Sequence, residues 1–453
     1  MHQFELTREY IDNLRDVIER KDEAVALQLM EELHAADIAE IYKELNIDEA
    51  RYLYLLLDKE VASDVLVELE EDERERFLKV LPSEVIAKQF IEVMDSDDAA
   101  DVIGEMSEDK KQEVLSHIDD IEQAGDIADL LNYDENSAGG LMAKELIAVN
   151  ENYNVNDCIA EIRKQGEDVD EIYNIYVIDD DGKLTGILPL KKLLISPSNS
   201  TISGITDTEV KYARTETPAE DVANAMNKYD LVAMPVVDDA GRLVGRITFD
   251  DVVDVIREEA EKDYQMASGI SEDVEPTDKV WVLTRARIPW LLIGLVGGVF
   301  AALVMGYYEG DIKKYAGLAA FIPLIAAMAG NVGVQSSAII VQALANRSLG
   351  IESSLKKLLK EFTIALIIGI IFAAIMFLYN YYTSDSFALT ITVSIALFSV
   401  ILFASLFGTF VPLALERLKI DPALATGPFI TTINDITGLF IYLFIGRIIF
   451  GAI

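Results

Sequence analysis

The chain has 453 residues, too long for one ordinary domain, and a formal net charge of −40. The charge is confined to the front: residues 1–280 hold 27 basic and 70 acidic residues, a net of −43, whereas residues 281–453 hold 11 and 8, a net of +3. A front this acidic excludes nucleic acid and anionic lipid heads as partners and attracts multivalent cations.

The first 30 residues are polar and acidic, without the basic and apolar runs of a cleaved signal peptide. Leucines then recur at 33, 45, 57, 69 and 81, a 12-residue period. Ala35–Glu44, Asp48–Leu56, Val61–Leu69, Asp72–Lys79 and Ser83–Val93 each read as one short amphipathic helix. Helices repeated at that spacing stack into a superhelix that buries its leucines between neighbours. This is the pattern of a scaffold, not of an enzyme.

An internal repeat follows. Asn174-Ile-Tyr-Val-Ile-Asp179-Asp180-Asp-Gly182-Lys-Leu184-Thr-Gly186 recurs 59 residues later as Ala233-Met-Pro-Val-Val-Asp238-Asp239-Ala-Gly241-Arg-Leu243-Val-Gly245. Each copy predicts a strand, a tight Asp/Gly turn, a second strand and a helix starting near Leu190 or Asp250. An amphipathic helix precedes each copy, over Val155–Lys164 and Pro218–Lys228. Residues 135–258 resemble a tandem pair of CBS domains, a regulatory module that often binds adenosine nucleotides. The lone Cys158 rules out an intrachain disulfide framework.

After the second copy, Asp250 to Tyr264 reads as one helix joined to the rear of the chain. Asp251, Asp254, Glu258 and Glu261 fall on one face, and Glu259 and Asp263 on the next. Like charges at those spacings weaken an isolated helix. The segment reads either as a solvated charged helix or as one held by bridging metal ions.

Five apolar stretches occupy the rear: Trp290–Tyr308, Ala316–Leu344, Phe362–Tyr382, Leu389–Leu415 and Pro428–Phe450. Each approaches or exceeds the ~20 residues that cross a bilayer as a helix. Arg285 and Arg287 precede the first, Arg347, Lys356, Lys357 and Lys360 follow the second, and Arg417 and Lys419 follow the fourth. The positive-inside rule therefore places the N-terminus in the cytoplasm and the C-terminus outside, as an odd number of spans requires.

Asp435 falls well inside the fifth span, beside Thr431, Thr432 and Asn434. A carboxylate at membrane depth marks an ion path or proton relay by default. Gly427-Pro428 predicts an interruption of the helix. The second span is expected to carry a matching break around Gly330, Asn331, Gly333 and Gln335. Gly427, Asn331, Gln335, Thr431 and Asn434 are thus candidate lining residues around Asp435. No thiol or imidazole lies in the membrane region, so the donors are all oxygens and suit hard cations. That chemistry admits Mg²⁺, Ca²⁺, Mn²⁺ or Na⁺. An intramembrane metalloprotease would need histidine ligands that are absent, so an enzyme is not expected.

In this order the parts resemble the MgtE family of magnesium channels and transporters. The specific markers are Ser137-Ala-Gly-Gly-Leu-Met142, Gly330-Asn331-Val-Gly333-Val-Gln335-Ser336, Asp421-Pro-Ala-Leu-Ala, and Thr432-Ile-Asn-Asp435-Ile-Thr-Gly-Leu. The resemblance implies a multi-domain fold: an all-α superhelical N domain (1–132), two CBS domains (133–200 and 201–249), an acidic plug helix with linker (250–280) and a five-helix transmembrane domain (281–453). It implies a homodimer in the plasma (inner) membrane that carries Mg²⁺. Asp435 would hold the hydrated ion. Asp251, Asp254, Glu259 and Asp263 would share regulatory Mg²⁺ with Glu220 and Asp230 of the CBS pair and Asp97 and Asp101 of the N domain. The CBS resemblance makes ATP a candidate ligand of the CBS pair. Gly427, Val334, Lys262 and Pro218 depart from the family's usual residues. Competing readings are a transporter mainly for Mn²⁺, Co²⁺ or Ca²⁺, and a non-transporting CBS nucleotide sensor.

Overall fold

A computed structural model describes residues 6–31, 33–166, 169, 172–272, 274, 276, 278–345, 354–425 and 427–452. Arg347 and Thr426 lie outside them. The chain forms two compact units, 1–257 and 258–453.

The first unit opens with helices α1 (Arg8–Arg20), α2 (Glu23–Met30), α3 (Ala35–Lys43), α4 (Ile47–Tyr54), α5 (Lys59–Val67), α6 (Glu71–Leu78), α7 (Ser83–Gln89), α8 (Ser96–Gly104), α9 (Glu108–Leu115) and α10 (Ile121–Leu130). α3 packs on α5, α4 on α6, α5 on α7, α7 on α9 and α8 on α10, and this i to i+2 stacking generates the superhelix. Leu57, Leu69 and Leu81 are buried, and Leu33 and Leu45 pack against the same core. Tyr42, Tyr54, Phe77 and Phe90 fill its centre, with Tyr54 stacked 4.1 Å from Phe77. The helix expected over 83–93 divides at Phe90, whose backbone (φ −121, ψ −63) leaves the helical region before a 3-10 turn at Ile91–Val93. Asn46 and Glu49 form a reciprocal cap that starts α4, a local reason for short helices.

The repeat folds as two three-stranded sheets. The first contains β1 (Ile147–Asn150), β2 (Ile175–Ile178) and β3 (Leu184–Leu188), with α11 (Val155–Gln165), α12 (Leu190–Ile195) and α13 (Ile202–Ile205). The second contains β4 (Ala213–Arg214), β5 (Ala233–Val237) and β6 (Leu243–Thr248), with α14 (Ala219–Tyr229). In both, a parallel strand joins an antiparallel hairpin. The hairpin turns are duplicates. Asp179 accepts from the amides of Asp181 and Lys183, Asp238 from those of Ala240 and Arg242, and Gly182 (φ +79) and Gly241 (φ +82) supply the left-handed residue. The two turns also bond each other: the Leu184 amide donates to the Gly241 carbonyl (3.1 Å), and the Leu243 amide to Gly182 (3.0 Å).

Packing does not follow the sequence boundaries of the copies. Residues before the first copy pair with the second: Ala143 and Arg246 exchange backbone hydrogen bonds of 2.8 and 2.9 Å. Residues after the first copy return to it: Ile187 and Asp207 exchange bonds of 2.9 Å. A boundary at 200 separates the repeats in sequence but cuts through both sheets' neighbourhoods.

α15 (Phe249–Ala267) leaves the second copy. Thr248 starts it, donating its amide (3.0 Å) and hydroxyl (2.7 Å) to the Asp251 carboxylate one turn ahead.

The second unit holds α16 (Val280–Tyr307), α17 (Glu309–Lys314), α18 (Gly317–Ala345), α19 (Ser354–Thr383), α20 (Phe387–Arg417) and α21 (Gly427–Ala452). All but α17 are long and apolar enough to cross a membrane, five spans among the described residues. α20 is the central helix, packed by α18, α19 and α21. The expected break in the second span is not formed: α18 runs continuously through Pro323, Gly330 and Gly333. Without water, freed backbone groups would lack partners, and the glycines serve close packing instead. The fifth span does begin at an interruption, with a 3-10 turn at Pro422–Ala425 and Gly427 at φ +49.

Candidate functional site

Asp435 projects from α21 toward α18. A Cβ on Gly330 would stand 3.0 Å from Thr431 Cγ2 and 3.2 Å from Asp435 Oδ1, so only glycine lets the acid approach this closely. Asp435 is half-buried, and its Oδ1 is enclosed with no hydrogen-bond partner among the described residues. An unpartnered carboxylate oxygen in an apolar bundle is costly and needs a cation, a proton or water. Asn331 and Gln335 are exposed on one face of α18, one turn apart. Thr431 turns its hydroxyl back to the Gly427 carbonyl at 2.9 Å, the i−4 back-bond of a helical threonine.

Asn434 is placed differently from the sequence expectation. It is 0% exposed and faces into the bundle, where a Cβ on Gly333 would collide with its side-chain amide. Among the described residues both amide atoms lack partners, as does the hydroxyl of buried Thr409 on α20. The period of α21 puts Asn434 beside, not behind, its neighbour's lining face, and packing closes over it.

In the second unit the end of α15 meets the start of α21. A Cβ on Gly269 (φ +84) would stand 2.6 Å from Pro428 Cγ, and one on Gly427 would strike the Ala267 carbonyl. Ser271 fixes the following turn, donating its amide and its hydroxyl to the Ala286 carbonyl, each at 2.9 Å.

The first unit gathers acids around α8. Desolvation pushes the half-buried Asp98 carboxyl up to about 7, with the nearby Asp251 carboxylate adding to it, and raises Asp101, which is exposed at the surface of α8, in the same direction. Burial likewise raises Asp97 well above the usual carboxylate range, with Asp251 next in effect. Burial raises Asp251 too, against the Thr248 hydrogen bonds that lower it. Arg74 offsets part of this field. It forms a bidentate pair with Glu105, at 3.0 and 3.1 Å from Nε, and lowers Asp98 and Asp101. Asp95, Asp97 and Glu145 each offer an oxygen within 4.8 Å of the others. Ser96 orients Glu145 through its hydroxyl (2.8 Å) and amide (3.2 Å). Hard carboxylate donors that repel one another fit a divalent oxygen-seeking cation.

Of the sequence-predicted acids, Asp97, Asp101 and Asp251 are therefore brought together. Asp254 is exposed and lies 3.9 Å from Arg257, and Glu259 pairs with Lys262 at 3.2 Å. Asp263 stands one turn beyond Glu259 on α15. Glu220 and Asp230 stand at opposite ends of α14, Asp230 as its left-handed C-cap (φ 53), roughly 15 Å apart along the axis. Asp95, Asp98 and Glu145 escaped sequence reasoning. The spacing of 95, 98 and 101 marks one helix face, but nothing local connects Glu145 to it.

Comparison with known proteins agrees with this architecture. The family described as a divalent cation transporter, MgtE, matches residues 322–445, the MgtE intracellular N domain matches 33–136, and CBS domains match 138–198 and 202–258. The magnesium transporter MgtE of Thermus thermophilus is 32% identical over 97% of this chain and 98% of its own. That of Bacillus subtilis is 32% identical over 91% of each. A crystal structure of the cytosolic domain of the Mg²⁺ channel MgtE in complex with ATP is 33% identical, with a TM-score of 0.51 over 54% of this chain and 99% of that one. The soluble part of a magnesium transporter is 27% identical, with a TM-score of 0.50 over 56% of this chain and 98% of that one. Acidic helical front, paired CBS sheets and five apolar helices thus stand together in one chain, which belongs to the MgtE family of magnesium transporters and is a multi-pass membrane protein.

Proposed function

We propose that the chain forms a Mg²⁺-selective path closed by cytoplasmic Mg²⁺. The observation that carries the reading is Asp435: a half-buried carboxylate in the fifth apolar helix, with one oxygen unpartnered, beside a glycine that makes room for it. Asn331 and Gln335, exposed on one protomer, line the path where a second copy completes it. Mg²⁺ sheds water reluctantly, so one carboxylate per protomer and neutral oxygens suit a largely hydrated ion. Basic residues in the short loops support an orientation with the N-terminus in the cytoplasm and the C-terminus outside the plasma membrane.

Closure follows from charge. Asp97, Asp98, Asp101 and Asp251 destabilise one another while ionised, and a divalent cation removes that repulsion. Such a cation binds the assembled state better than the separated one, as a ligand-driven switch requires. Ala267, the last residue of α15, meets Gly427, and Gly269 just after it meets Pro428, two turns before Asp435, so displacement of α15 acts on the start of the span that carries it. ATP at the CBS pair, the ligand of the related cytosolic domain, would bias the same equilibrium.

The test is Mg²⁺ uptake by the full chain in liposomes. Wild type should take up Mg²⁺ and slow as luminal Mg²⁺ on the acidic side rises, and Asp435→Ala should abolish uptake. Equal uptake by Asp435→Ala would sink the path. Faster Mn²⁺, Co²⁺ or Ca²⁺ uptake would reassign the cargo within the divalent cations.

A further inference from the structure

Three oxygens from three helices meet inside the second unit. Glu361 of α19 accepts the hydroxyl of Ser336 of α18 at 2.6 Å on Oε1, and the same oxygen accepts the hydroxyl of Ser405 of α20. The two hydroxyl oxygens are 3.0 Å apart. Ser336 is 6% exposed and Ser405 2%. Among the described residues no lysine or arginine pairs with Glu361.

The serines do not need this carboxylate. On the same α20, Thr392, Ser394 and Ser399 satisfy their hydroxyls on carbonyls four residues back, at 2.7, 2.8 and 2.9 Å. Ser405 turns away from its own helix to Glu361. α19 is otherwise a peripheral helix packed along α20, so Glu361 reaches past α20 to hold α18. Glu361 is half-buried at the edge of the third apolar run, and glue alone would be supplied by a hydroxyl or an amide.

Position on α18 says what is held. Gly330 faces Asp435, Gly333 faces Asn434 and Gly408, and Ser336 faces Ser405 and Glu361, in steps of three residues. Asn331 and Gln335 are exposed on the adjoining face. Rotation of α18 would turn the face that carries Asn331 and Gln335 and would break the bond from Ser336 to Glu361.

We infer that Glu361 is a positioning residue of the ion path. Its carboxylate, bonded to Ser336 and Ser405, sets the rotation of α18 and with it the placement of Asn331 and Gln335 relative to Asp435. The inference rests on reading Asp435 as part of that path.

The experiment measures Mg²⁺ and Ca²⁺ uptake by the full chain in liposomes, together with thermal unfolding in detergent. Glu361→Gln keeps the shape and an acceptor but removes the charge, and Ser405→Ala removes one donor. Each should lower maximal Mg²⁺ uptake ~5–20-fold and narrow the Mg²⁺/Ca²⁺ ratio, with little change in the half-saturating concentration. The double variant should be no worse than either single one, because both disable the same knot. Asn380→Leu, a buried amide elsewhere on α19, should move the unfolding midpoint and leave the ion ratio alone. The inference is overturned if Glu361→Gln and Ser405→Ala keep the wild-type ratio, or if Asn380→Leu changes it equally. Normal uptake by Asp435→Asn would instead remove the path reading, whatever Glu361 does.

Discussion

Gly269 and Pro428 are in van der Waals contact, and the contact exists because Gly269 has no Cβ: one placed there would stand 2.6 Å from the proline ring. The pair joins the end of the acidic helix to the first turn of the span that carries Asp435. Gly269→Ala adds the collision to a backbone at φ +84, a local penalty of roughly 1–3 kcal/mol. Uptake at low Mg²⁺ should persist, while the Mg²⁺ concentration that halves uptake should rise by about 5-fold or more. An inhibition curve superimposable on wild type would separate the contact from closure.

The acids around α8 set a pH dependence with a definite sign. Asp98 and Asp101 are raised to about 7, and Asp97 and Asp251 are also raised. Between the ordinary carboxylate range and about 7, the folded protein therefore binds more protons than the unfolded chain. Stability then falls as pH rises through that window. Without Mg²⁺ the unfolding midpoint of the first unit, followed in the full chain, should be lower at pH 8 than at pH 6. Added Mg²⁺ should restore it at pH 8. Asp98→Asn with Asp101→Asn should flatten the profile and weaken the Mg²⁺ effect. A flat profile in wild type would contradict the electrostatic account.

Asn434 and Gly333 give a third expectation. The amide is fully buried without a partner, a penalty of roughly 1–3 kcal/mol that leucine of similar volume would remove. Asn434→Leu should raise the unfolding midpoint, and Gly333→Ala should lower it by driving α18 from α21. If Asn434→Leu also stops uptake, the amide turns toward the path in the conducting state.

Much of this architecture is legible in sequence because it rests on periodicity. The 12-residue leucine spacing, the Asp-x-x-Gly turns at 179–182 and 238–241, and five long apolar runs each report a local rule. The errors are tertiary. β1 and β4 are too short to announce themselves. Gly330 and Gly333 look like breaks because glycine has two meanings in an apolar helix, and only the neighbours Thr431, Asn434 and Gly408 decide for packing. Glu361 was invisible: it stands at the edge of an apolar run beside lysines, where a carboxylate is expected to reach water. Its partners, Ser336 and Ser405, lie on other helices.

The crossed pairing of the repeat has a consequence for how the chain can be divided. Because residues 137–143 complete the neighbourhood of the second sheet and 201–207 that of the first, neither copy is a free-standing part. A chain severed near residue 199 would yield fragments that each expose an unfinished edge and an uncovered core face. Such fragments are complementary, and coexpressed halves should find each other and restore the whole, as halves of a split reporter do. A mutation on one side of that cut would then be felt in the sheet encoded on the other.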